Sequence, residues 1–376
     1  VIHWKETSEI LSRLAELDAA GRRAALATVV RITGSAYRRA GAKFLIEEGG
    51  ETLGSVSGGC LEADVREVGL RVLAGGEPRL LRYDTGSDED AVWGLGLGCD
   101  GTVEIFVQAA TRGPAADLAP HLRRLLGGDD AFAVVTAVDA GDAAAGGAPS
   151  LVVASVGEPV GSLGSPELDR EAAARVRALL AAGRSSLDRE SSGLHPIGAH
   201  ALFFDVLRPP RHVLVFGAGD DARPLVAYAA DAGFRVTVVD HRPGLLAEGR
   251  FPAAFDAVHA RAEDGGELPQ LVPARAPRTL AVVMTHSLRH DRAWAERLLA
   301  AGVSYVGLLG PRGRTESLLA EIGAEGDPRV HGPVGLDLGA DGPRQVAISI
   351  VAELLAVAHG REPGHLSARR EAIHAG

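Results

Sequence analysis

Cysteine is nearly missing from this chain: Cys60 and Cys99, 39 residues apart, are all that its 376 residues hold. Two thiols cannot build the disulfide framework of a small secreted domain, and their separation matches no paired zinc spacing. Aromatic residues are only 4% of the chain, too few for a surface that stacks nucleic-acid bases. The formal net charge is −10 and no run of Lys and Arg works against it, so a polyanion finds no basic footprint. No apolar stretch reaches the roughly 18 residues of a membrane helix. The first ten residues contain Lys5, Glu6 and Glu9, which is not the pattern of a signal peptide. A reduced, cytoplasmic protein that meets neither nucleic acid nor membrane is the expectation.

What is abundant is small and apolar. Hydrophobic residues make up 46% of the chain and glycine alone supplies 48 positions, a composition suited to close helix–sheet packing. Length predicts two domains, and Arg208-Pro209-Pro210-Arg211 stiffens a linker between them. The boundaries read as 1–208 and 212–376.

The first domain is organised around Gly54 to Val65, G-S-V-S-G-G-C-L-E-A-D-V. Leu61, Val65, Val68 and Val72 recur at helical spacing after Cys60, while Glu62 and Asp64 place carboxylates in the first turn. Gly58 and Gly59 let backbone N–H groups approach an anion, and the partial positive charge of a helix start favours a thiolate. Upstream, T-G-S-A-Y-R-R-A-G carries Arg38 and Arg39 and is followed by Lys43. If that loop folds back on the glycine turn, the three cations meet a phosphate there. The second thiol lies in G-L-G-L-G-C-D-G, residues 94–101, just before a strand at Thr102 to Val107. A helix over 4–20, strands at 25–32, 42–46 and 79–83, and a helix from Pro166 capped by Ser165 complete the coarse reading.

The second domain opens with V-L-V-F-G-A-G-D-D-A. A strand, then Gly217, Gly219 and Ala222 in G-x-G-x-x-A spacing, a helix from about Asp220, and a strand ending in Asp240 follow the pattern of a dinucleotide-binding βαβ unit. Further strands at 257–259, 279–284 and 304–308 alternate with a helix at 293–300, and Gln345 to His359 forms a last helix. Loops 217–220, 240–242, 284–291 and 309–314 should meet at the carboxyl ends of the strands, with Arg312 and Arg314 near a phosphate. His286, His290 and Asp291 suggest a metal, but no third ligand stands at a fixed offset, and a polar crevice loop is the better reading.

Taken together, G-S-V-S-G-G-C-L-E, G-L-G-C-D-G, V-T-V-V-D-H-R, V-V-M-T-H, Y-V-G-L-L-G-P-R and H-G-P-V-G-L-D-L-G resemble the XdhC/CoxI family, accessory proteins of xanthine dehydrogenase and carbon monoxide dehydrogenase. The resemblance covers nearly the whole chain and is weakest between about residues 110 and 200. It implies an N-terminal mixed α/β XdhC/CoxI domain followed by a Rossmann-like doubly wound parallel sheet. It implies a chaperone rather than a turnover catalyst, one that binds molybdenum cofactor and helps insert it into a molybdenum hydroxylase client. Independently of the resemblance, a homodimer is the commonest assembly and the default expectation.

By position, the family's cofactor motifs fall on Gly58, Gly59, Cys60 and Glu62, on Gly98, Cys99 and Gly101, on Ser35, Arg38, Gly41 and Lys43, and on Gly217 to Ala222. Cys60 and Cys99 become candidate molybdenum contacts through the cofactor, since thiolates suit a soft metal centre. Gly217, Gly219 and Asp240 become the nucleotide contacts. Two departures stand out: Asp100 replaces a glycine, and Asp220 stands where a histidine is common. The alternative reading is an NAD(P)-dependent oxidoreductase with Asp240 on the ribose and Arg242 leaving NADP open. A reversible Cys60–Cys99 disulfide is a third.

Overall fold

A computed structural model describes residues 2–34, 36–75, 77–84, 101–139, 147–182, 192–262, 272 and 278–368. They divide into two compact units, residues 2–209 and 210–368.

The first unit contains the same strand arrangement twice. Sheet one has the order β3-β2-β1-β5-β4, from β1 (Ala24–Gly34), β2 (Lys43–Glu47), β3 (Thr52–Gly54), β4 (Arg79–Asp84) and β5 (Gly101–Ala109), with helix α2 (Glu62–Gly75) between β3 and β4. Sheet two has the order β8-β7-β6-β10-β9, from β6 (Phe132–Ala137), β7 (Ser150–Ala154), β8 (Val160–Ser162), β9 (Gly193–Ile197) and β10 (His200–Leu207), with helix α4 (Pro166–Ala182) between β8 and β9. Every pairing in both sheets is antiparallel. Registers correspond as well: Thr28 is paired with Lys43 and Phe106, and Thr136 with Ser150 and Phe203.

Period-two alternation explains how each sheet is covered. Along β1, Ala25, Ala27 and Val29 pack with Val65, Val68 and Val72 of α2. Ala24 and Leu26, of opposite parity, join Leu14 and Leu17 of α1 (Ile2–Ala19) and Leu118 and Leu122 of α3 (Pro114–Leu126). Equivalent positions of the two copies, Thr28 with Thr136, Lys43 with Ser150, Phe106 with Phe203, and Gln108 with Asp205, line one cavity of about 80 Å³.

The second unit is a six-stranded parallel sheet of order β13-β12-β11-β14-β15-β16. Its strands are β11 (His212–Phe216), β12 (Arg235–Asp240), β13 (Asp256–His259), β14 (Thr279–Val283), β15 (Tyr305–Leu308) and β16 (Val330–His331). Val213 and Val215 of β11 face the cluster that holds α5 (Ala222–Asp231) and α8 (Pro343–Ala358). Leu214 and Phe216 face the cluster of α6 (Leu288–Ala300) and α7 (Arg312–Ile322). Helices on both faces make the sheet doubly wound, as expected, and its order reverses between β11 and β14, where such sheets place their crevice.

Several boundaries differ from the sequence reading. Helix α6 starts five residues earlier than expected because Asp291 fastens its first turn: its carboxylate accepts from the Thr285 N–H and hydroxyl, and its N–H donates to the Ser287 carbonyl. Helix α5 begins at Ala222 rather than Asp220, leaving both aspartates in the turn. Among the described residues, no helix is long and apolar enough to cross a membrane.

Candidate functional site

Strand pairing brings two of the sequence motifs together. The Lys43 carbonyl, at the head of β2, accepts from the Ser55 N–H, and a Cβ on Gly54 would lie 2.4 Å from that same oxygen. Only glycine, here at φ 89°, lets the chain leave β3 toward the turn. The preceding loop folds back on the glycine turn, the condition set by the sequence reading, although an aromatic ring makes the contact. Tyr37, 74% exposed, has its ring 3.3 Å from where a Gly58 Cβ would sit.

The turn itself is held by Glu62. Its carboxylate accepts from the N–H groups of Val56 (3.2 Å), Ser57 (2.9 Å) and Gly59 (3.0 Å), from the Ser55 hydroxyl (2.8 Å) and from the Ser57 hydroxyl. Burial works to raise the Glu62 pKa, but the Ser57 hydroxyl and N–H together with the Ser55 hydroxyl outweigh it and bring the value down to about 2. The amides expected to face a ligand's anion therefore already face a carboxylate of the chain. Cys60 stands one step beyond, with a free, exposed thiol. It precedes α2 rather than starting it, since Leu61 supplies the carbonyl that the Val65 N–H reaches.

The cations are also engaged. Arg38 donates to both carboxylate oxygens of Glu6, at 2.7 and 2.6 Å. Lys43 forms a 2.7 Å ion pair with Asp205 of β10, both side chains 7% exposed, and donates to the Gly41 carbonyl. None of Glu6, Asp205, Ser55, Ser57 and Tyr37 was singled out as a site residue from the sequence. The Ser57–Glu62 spacing is a local signal that could have been read, whereas Glu6 and Asp205 come from distant segments and have none. Gly98 and Cys99 lie outside the described residues, and Gly101 pairs across the sheet with Gly34.

In the second unit the four expected loops do gather at the carboxyl ends of the strands. Asp240 accepts from the N–H groups of Ala218 (2.7 Å) and Arg242 (2.8 Å), and the Arg242 guanidinium donates to it through two nitrogens. Burial pushes the Asp240 pKa up, but the Arg242 fork and the Ala218 and Arg242 N–H groups prevail and hold it at about 2. His286, at φ 61°, places Nε2 2.9 Å from the Asp221 carboxylate. Arg314 is bound to Asp291 at 2.5 Å. Among the described residues, no group of three or more His, Cys, Asp or Glu side chains could hold a metal ion.

Comparison with known proteins covers both units. The XdhC and CoxI family profile matches residues 17–84, and the XdhC Rossmann domain profile matches residues 213–354. A Bacillus subtilis (strain 168) protein, named as a probable subunit of xanthine dehydrogenase, is 31% identical over 342 residues, which is 88% of this chain and 92% of that protein. The chain belongs to the XdhC/CoxI family. The match over 17–84 spans Arg38, Lys43, Cys60 and Glu62 of this XdhC/CoxI chain, and the match over 213–354 spans the Asp240 and Asp221 contacts. Molybdenum cofactor insertion chaperone PaoD of Escherichia coli (strain K12) is 35% identical over 94 residues, 23% of this chain and 30% of PaoD. A Bacillus halodurans crystal structure described as a xanthine dehydrogenase superposes with a TM-score of 0.73 at 27% identity, covering 96% of this chain and 98% of that one.

Proposed function

We propose that this XdhC/CoxI protein is an accessory protein of molybdenum-enzyme maturation that carries molybdenum cofactor as cargo and passes it to a molybdenum hydroxylase client. Membership of the family and the likeness to a named insertion chaperone support the role. One structural observation carries the assignment of the contact residue. The duplicated fold repeats the turn: the Gly59 N–H donates to the Ser57 hydroxyl, and the Gly164 N–H donates to the Ser162 hydroxyl. Both glycines have positive φ, 115° and 108°. The residue after the glycine is Ser165 in the second copy, where its hydroxyl caps α4 by accepting from the Leu168 N–H. In the first copy it is Cys60, exposed and outside its helix. Where folding alone is served, a capping serine fills the position.

An exposed thiol on a rigid turn suits a soft metal held by sulfur. The exposed Tyr37 ring beside it offers an aromatic face to a flat heterocycle. Arg38 and Lys43 fit the phosphate of the cargo poorly, because each already has a carboxylate partner. The thiol is thus the contact to test first. Titration of the protein with molybdenum cofactor should show a loss of at least about tenfold in affinity for Cys60→Ser, with the thermal unfolding temperature unchanged. Co-expression with a molybdenum hydroxylase should give a client of lower molybdenum content when Cys60→Ser replaces the wild type. Equal affinity and equal metal content would remove Cys60 from the site.

A further inference from the structure

A Rossmann unit implies a dinucleotide, and the residues at this switch point do not fit one. In a dinucleotide site the second glycine of the turn admits the pyrophosphate, the N–H groups at the start of the following helix face it, and the acid at the end of the second strand holds the ribose. Two of those three positions, the glycine face and the acid, are taken here by the chain, and the helix start carries an added carboxylate. Over Gly219, the Asp221 Oδ1 lies 2.7 Å and the His286 Nε2 3.8 Å from where a Cβ would stand, so a carboxylate covers the face that a phosphate needs. Next to it Asp220 adds a second negative charge, paired with Arg250 at 2.8 Å. Asp240 has its side chain 1% exposed and all of its described hydrogen bonds come from Ala218 and Arg242, so a ribose hydroxyl finds no open oxygen.

These contacts are not one feature described three ways. The Asp221–His286 contact joins the loops after β11 and β14, the two strands between which the sheet order reverses. Arg242 and Asp240 close the loop after β12, and Arg250 reaches the turn from beyond it. Phosphate would have to enter between two aspartates, and the cation nearest the turn, Arg250, is already committed to the Asp220 carboxylate and the Ala218 carbonyl, so the like-charge repulsion from Asp221 is left to oppose binding. We infer that the switch-point crevice of the second unit rejects nicotinamide dinucleotides, and that Asp221 and Arg242 are the residues that decide it. Asp221 occupies the pyrophosphate position and Arg242 occupies the ribose acid. The inference stands apart from the cargo role of Cys60, which belongs to the other unit.

Fluorescence titration of the full chain with NADH tests it, with NADPH in parallel. Wild type should show no saturable binding up to about 1 mM. Combining Asp221→Asn with Arg242→Gln removes the anion over Gly219 and releases Asp240, and should tighten NADH binding by at least about tenfold. If that pair fails to fold by circular dichroism, Asp221→Ser with Arg242→Met makes the same test. Micromolar binding of NADH or NADPH by the wild type would overturn the inference. So would a folded double variant that binds no better than wild type.

Discussion

Glu62 shows how one side chain can sit inside a binding motif and still serve the fold. Five donors from Ser55, Val56, Ser57 and Gly59 converge on its carboxylate. Replacing it with alanine removes the acceptor of the Val56 and Ser57 N–H groups, and an unsatisfied buried polar group costs about 1–3 kcal/mol. We therefore expect Glu62→Ala to lower stability by about 2 kcal/mol, read from urea unfolding. The pH dependence has a definite sign. The folded pKa, about 2, lies below the ordinary 4.5, so the contribution is complete above about pH 4.5 and fades as the pH falls toward 2. Across that window Glu62→Gln should lose less stability than wild type. Parallel acid-unfolding curves for the two proteins would show that the carboxylate is not held as described.

At the scale of elements, the ion pair between Lys43 of β2 and Asp205 of β10 ties the first sheet to the second. Both side chains are nearly inaccessible, so removing one leaves the other charged and buried, which typically costs about 3–5 kcal/mol. Lys43→Met should lose stability on that scale, and Lys43→Met with Asp205→Leu should regain most of it. Equilibrium unfolding of the single and double variants measures the coupling. If Lys43→Met unfolds like wild type and only cofactor binding falls, Lys43 is a phosphate contact after all. This pair also marks the limit of what the sequence discloses. Strands β11, β12 and β14, the Gly217 turn and Asp240 were legible because apolar runs, glycine spacing and a terminal acid are local signals. The partner of Lys43 lies 162 positions away and no spacing announces it. The repeated fold was hidden for a related reason: its copies keep the backbone requirement, as in Gly54 and Gly161, both at positive φ with a strand carbonyl under 2.5 Å from a would-be Cβ. They share few side chains. Strands β9 and β16, with five and two residues, are too short or too half-buried for periodicity to show.

For the molecule as a whole, the decisive fact is where the hydrophobic clusters fall. Among the described residues, those built on β11 to β15 draw on the second unit, while those holding α1 to α4 draw on the first. Each unit also pairs its own buried carboxylate: Asp205 has Lys43 in the first, and Glu353 has the Tyr305 hydroxyl at 2.6 Å and the His331 ring at 2.9 Å in the second. A unit with its own core and its own charge pairing meets the conditions for folding alone. Calorimetry of the full chain should accordingly resolve two transitions, and Lys43→Met should move one of them while leaving the other in place. A separately produced 210–376 fragment should melt cooperatively at the temperature of the unmoved transition. One shared transition that shifts as a whole, or an unfolded fragment, would mean that the parallel sheet depends on the first unit for its stability, and the effects of Cys60 and Asp221 substitutions could then no longer be treated as independent.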